Sequence, residues 1–275
     1  MEELTIPEFE NKKDLFDFLV ANKGTLEAQK KAETKEADGF TFALPFNSKT
    51  KANKADVDPE NVNELFVKAI INTTNVMDSH SDVHLKGIWT KSLKENKNLL
   101  FAQEHETRKF SHIIADGNDL KAYVKEYTFK ELGFNLEGKT QALVFEATVK
   151  RDRNPEMFKQ YSNGWVKEHS VGMRYVKLIL AINDENYAAE FDAWEKYYPE
   201  IANKSLADDR GYFWAVKEAK AIEGSAVPKG SNSVTPTLEV ESKNEPLKST
   251  HEDNEPSVDT QNVNLLKGIL THLKQ

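Results

Sequence analysis

Three short stretches hold the side chains best suited to chemistry. Asp78-Ser-His80-Ser-Asp82-Val-His84 sets two carboxylates and two imidazoles at a spacing of two. On a strand that spacing turns all four toward one face, where they could hold a divalent cation. A polar strand end facing water is the plainer reading. Leu99-Leu-Phe-Ala-Gln-Glu-His105 is an apolar run that delivers a histidine at its end. Trp165-Val-Lys-Glu-His169-Ser170-Val-Gly172-Met places a serine inside a strand-like run, and the glycine two residues on permits close approach of a ligand to the backbone. A serine and a histidine brought together can cleave an acyl bond, the imidazole taking the hydroxyl proton and returning it to the leaving group. His169 neighbours Ser170 and in a strand points to the opposite face. Taken alone, a pairing of serine and histidine is more often structural than catalytic, and His105, His112, His80 and His84 all stay open as the imidazole. Glycine-rich phosphate loops, HExxH and GxSxG are absent from the chain.

The elements that must position these residues can be read from periodicity. Phe40–Leu44, Phe66–Thr73, Leu99–Gln103, Lys121–Thr128, Gln141–Val149, Trp165–Leu180 and Phe213–Val227 are β-rich, and His112 falls in a strand that follows His105. Gly87–Glu95, Asn154–Tyr161 and Asp184–Tyr198 read as helices. The pattern predicts an α+β domain over residues 39–228, built on a mainly antiparallel sheet or barrel with surrounding helices. Residues 1–38 read as a helical N-terminal extension outside the core, with Leu15, Phe18 and Leu19 at helical spacing. Residues 229–262 contain no aromatic residue and are rich in Ser, Thr, Asn, Glu and Pro, which predicts a disordered linker. In residues 263–275, Leu266, Ile269, Leu270 and Leu273 form an amphipathic helical stripe suited to docking on a partner. The tail beyond Gly230 is expected to be removable without loss of the fold.

Composition narrows the function. A formal net charge of −8 over 275 residues disfavours a nucleic-acid partner, and no apolar run is long enough to span a bilayer. The chain has no cysteine, which excludes a disulfide framework, a cysteine nucleophile and a thiolate metal site. The first residues lack a signal-peptide pattern, so a soluble intracellular protein is expected.

Four blocks, in order, resemble the caudovirus prohead proteases, a family related in fold to the herpesvirus assemblins. They are Asp78–Leu93 (DSHSDVHLKGIWTKSL), Leu99–Gly117 (LLFAQEHETRKFSHIIADG), Ala142–Met173, which ends in HSVGM, and Ala221–Val227 (AIEGSAV). The resemblance spans about Phe66–Val227. It departs where Glu106 rather than aspartate follows the histidine, and where a long insertion separates the last two blocks. It implies a serine endopeptidase with Ser170 as nucleophile, His105 as base and Glu223 as the third member that orients the base. Asp116 and Asp82 stand in reserve for that third role. Backbone amides near Gly172 or after Val227 are the implied oxyanion donors. The implied substrates are the major capsid protein, the scaffold and the protease itself, inside a procapsid in the host cytoplasm, and self-association is allowed for. No cofactor, metal, membrane or nucleic acid is implied. A catalytically inactive assembly or scaffolding protein on the same fold is the alternative.

Overall fold

The computed structural model describes residues 4–32 and 62–243. The expected strand at Phe40–Leu44 and the helix at 263–275 lie outside these. No described helix is long and apolar enough to cross a membrane.

Alternation sets up the first sheet. In β1 (Glu64–Thr73) the side chains of Leu65, Val67 and Ala69 are fully buried, and in β6 (Lys139–Lys150) so are those of Leu143 and Phe145. A strand with one buried face has its register fixed, because a one-residue slip would turn the apolar set to water. β6 runs antiparallel to β1 and to β5 (Leu120–Thr128), and β9 (Thr237–Ser242) closes the other side of β1. The order is β5-β6-β1-β9.

The second sheet is organised by the 16-residue β8 (Tyr212–Val227). One edge pairs antiparallel with β7 (Glu168–Ile182). The other edge takes two short parallel strands in tandem, β2 (Asp82–His84) and β3 (Leu100–Gln103), with β4 (Ile113–Asp116) antiparallel beyond β3. Leu65, Val67, Phe145, Phe101, Val171 and Trp214 join one apolar core shared by both sheets. The fold is α+β and mainly antiparallel, but the sheets remain open and do not close into a barrel.

Helices cover the sheets where local sequence starts and stops them. α3 (Thr90–Glu95) leads into β3. α4 (Pro155–Ser162) begins at Asn154, whose side chain accepts from the Met157 N–H, and proline follows at the first turn where no N–H is needed. α5 (Ala188–Tyr197) buries Ala193, Trp194 and Tyr197 in a second cluster with Phe213. α6 (Lys204–Arg210) stops at Gly211, whose φ of 74° closes the helix in the left-handed conformation.

Two expectations are corrected. The N-terminal helices α1 (Lys12–Ala21) and α2 (Lys23–Ala32) do not lie outside the core. Phe16, Leu19 and Leu26 are buried in it, and each large apolar side chain contributes roughly 1.5–3 kcal/mol by leaving water. Lys23 pairs with Glu190 at 2.6 Å and Lys30 with Asp82 at 2.6 Å, so the pair of helices is also held by charge. The beginning of the expected disordered linker is ordered. Asn232 donates to the Thr73 carbonyl, Thr235 donates to the His169 carbonyl, and β9 joins the first sheet. A cut after Gly230 therefore removes part of the fold. The low apolar content of this segment is offset by backbone pairing to β1 and by side-chain hydrogen bonds to β1 and β7.

Candidate functional site

β3 continues its ladder one residue past its end, where the Glu104 N–H donates to the Ala226 carbonyl. The chain then reverses: the Glu106 N–H returns to the Gln103 carbonyl, and the two central residues, Glu104 and His105, have φ of 51° and 59°. Two successive left-handed residues are usually Asn or Gly, and forcing larger ones there costs on the order of 1–3 kcal/mol each. The strain falls on the histidine that the sequence singles out. Its reward is direction. The His105 imidazole turns onto β8, where Nδ1 lies 2.6 Å from Oε1 of Glu223, and both side chains are buried. A carboxylate only accepts, so the proton of a neutral imidazole sits on Nδ1 and Nε2 carries the lone pair. Nε2 is buried and has no hydrogen-bond partner among the described residues.

Ser170 reaches the same place from β7. It lies directly opposite Ser225 in the β7–β8 ladder, and Gly172 lies opposite Glu223. Paired residues share a face with Cβ atoms about 5 Å apart, so Ser170, Ser225 and Glu223 line one side of the sheet. His105 joins them there because its backbone N–H donates to Ser225 Oγ at 3.1 Å. Ser170 is 7% exposed. Among the described residues no hydrogen bond joins its hydroxyl to His105.

Ser225 has no role in the sequence reading, although it stands in the quoted AIEGSAV block. It is fully buried, and its hydroxyl donates to Oε2 of Glu223 at 2.6 Å. Gly172 has a role other than the one expected. A Cβ there would fall 2.1 Å from Oε1 of Glu223. The close approach that glycine permits is made by the carboxylate of the neighbouring strand, so Glu223 can lie flat over β7.

The rival residues are placed elsewhere. His169 is buried on the opposite side, between the Tyr161 hydroxyl at 3.0 Å and the Thr235 carbonyl at 3.0 Å, and burial pulls its pKa down to about 4. His112 lies in the one-turn 3₁₀ segment Phe110–His112 rather than in the strand expected after His105, and no carboxylate orients it among the described residues. Asp116 is held by a two-pronged bond to Arg153 at 2.9 and 2.6 Å.

The Asp78–His84 stretch does not form a continuous polar strand face. Ser81, at φ 61°, breaks it, and only Asp82–His84 is extended. Its side chains enter a relay. Trp89 donates to Asn72, Asn72 to Nδ1 of His84, Nε2 of His84 to the Tyr175 hydroxyl, and Tyr175 to Asp82, which also takes Lys30. Asp78 caps the turn by accepting from the N–H groups of His80 and Asp82. Burial and the charge of Asp82 push its pKa up to about 8. A cavity of about 10 Å³ has Asn72, Asp78, His84, Ser170 and Tyr175 among its lining, and His105, Glu223 and Ser225 are not part of it. Among the described residues no three His, Cys, Asp or Glu side chains are gathered as a metal site would need.

Ser170, His105 and Glu223 thus meet on one sheet face although 65 residues part the first two and 53 part Ser170 from Glu223. No protein-family model, curated protein or solved structure matches this chain.

Proposed function

We propose that the protein is a serine endopeptidase of the prohead-maturation type, which processes phage capsid and scaffold proteins and itself. The observation that carries this reading is the buried His105–Glu223 pair, whose free Nε2 lies on the sheet face that bears Ser170. In this mechanism Ser170 attacks the scissile carbonyl, His105 takes its proton through Nε2 and later returns it to the leaving amine, and Glu223 holds the tautomer and balances the imidazolium. The missing Ser170–His105 hydrogen bond is what favours the second reading, an inactive assembly protein on the same fold. Bonds of this kind often form only when substrate is bound.

The test uses wild type, Ser170→Ala and His105→Ala with the major capsid and scaffold precursors, and in parallel with a serine-directed phosphonate whose adduct is mapped by mass spectrometry. Wild type should shorten both precursors and carry the adduct on Ser170. Each variant should lose roughly 10⁴- to 10⁶-fold in rate. Normal processing by Ser170→Ala would defeat the assignment, and an inert wild type would leave the assembly reading.

A further inference from the structure

We propose that Ser225 is the positioning residue that locks the Glu223–His105 pair, an inference that rests on the protease reading. Among the described residues its hydroxyl is the one group bonded to both partners. It donates to Oε2 of Glu223 at 2.6 Å and accepts from the His105 backbone N–H at 3.1 Å. Glu223 and Ser225 are two apart on β8, so their side chains share a face. The carboxylate then has a donor at each oxygen: Ser225 at Oε2 and the imidazole at Oε1. Two fixed points define its plane, and the plane sets where the imidazole lies.

The second bond acts on the backbone. His105 sits in a left-handed conformation that its residue type does not favour. Its N–H, at the head of a tight turn, is satisfied by Ser225 Oγ rather than by a ladder carbonyl. Ser225 therefore holds both the side chain and the main chain of the base, from a site with no exposure to water. Because Ser225 is fully buried, no substrate carbonyl reaches its hydroxyl, and it is not itself a candidate nucleophile. A serine that only filled space on a strand would bond to neither partner of the Glu223–His105 hydrogen bond. Its place opposite Ser170 in one ladder and opposite Ala102 in the other puts it at the centre of the group.

The test compares Ser225→Ala, the nearly isosteric Ser225→Cys, whose thiol is a weak donor, and Ser225→Thr, which keeps the hydroxyl. Each is assayed for the rate of phosphonate labelling at Ser170 and for the Nδ1–H proton resonance of His105. Ala and Cys should label roughly 10- to 100-fold more slowly than wild type and should shift the resonance upfield. Thr should restore both. A wild-type resonance in folded Ser225→Ala or Ser225→Cys overturns the proposal, whether or not the rate has fallen. If wild type itself fails to label, the protease reading is at fault, and the resonance still decides whether Ser225 positions His105.

Discussion

Two clusters of ionisable groups are carried by the second sheet, and they are built on opposite plans. Around Asp82 the relay runs from Trp89 to Lys30 with each link engaged, and a charged lysine balances the buried carboxylate. Around Glu223 the carboxylate is equally well satisfied, but the histidine beside it keeps one buried nitrogen without a partner. A closed network stabilises and specifies a fold. A network with one open acceptor has something left to give to a substrate. The eye-catching density of His and Asp in residues 78–84 thus marks a structural joint, and the sparser His105 corner is where we propose the chemistry.

The sharpest way to break this contrast is Glu223→Gln. An amide in place of the carboxylate no longer balances an imidazolium, and the rate of Ser170 labelling should fall roughly 10⁴-fold while the fold persists. A rate within tenfold of wild type would place the orienting group elsewhere. Next in size is Lys30→Met, which removes the lysine bonded to the buried Asp82. Its effect belongs to stability: a loss of about 3–5 kcal/mol in denaturant unfolding, with the labelling rate of the folded fraction unchanged. Loss of labelling in protein that is still folded would mean that the two clusters are not separate.

The smallest effect is one of pH. The folded protein holds Asp78 near 8 against an ordinary 3.8, because burial and then the charge of Asp82 disfavour its ionisation. The protonated form is favoured by folding, so its contribution is whole below about pH 4 and is lost as pH rises through 8. His169 is held near 4 against 6.5 by burial, so its contribution is present above 6.5 and is lost as pH falls through 4. Between about 4 and 6.5 the two slopes oppose each other. Above 6.5 only that of Asp78 remains, and stability should decline toward pH 8 by at most about 1.4 kcal/mol per unit. Thermal unfolding of Asp78→Asn across this range should lack the decline; an unchanged slope would assign it to another group.

What the sequence made legible was whatever depended on period and order. The long strands stand where alternating apolar residues put them, and α4 begins where Asn154 and Pro155 predict. The convergence of His105, Ser170 and Glu223 was expected from the resemblance, since no local spacing brings β3, β7 and β8 together. Three features were hidden for distinct reasons. The polar face of residues 78–84 depended on a run of extended backbone that left-handed Ser81 interrupts. The burial of α1 and α2 depended on a remote surface, with Phe16 against Gly211 and Lys30 against Asp82. β9 offers only Leu238 and Val240 as apolar residues, too short an alternation to stand out in a polar stretch, and is extended because β1 offers it an unpaired edge. Ser225 was in plain sight as a letter, but its role lies in two distances that only the pairing of β8 with β3 and β7 creates.

β9 also has a consequence for the order in which the protein can be made. It is the outer neighbour of β1, yet synthesis of the chain between them takes on the order of ten seconds or more at ordinary elongation rates. During that interval the LFVKAIIN segment of β1 has one edge it cannot pair. Long-range closure of this kind is slow, and an apolar strand with a free edge invites pairing with other chains. Completion of the first sheet awaits residues 237–242, so the nascent protein passes through an interval in which it is prone to aggregate before its last strand arrives.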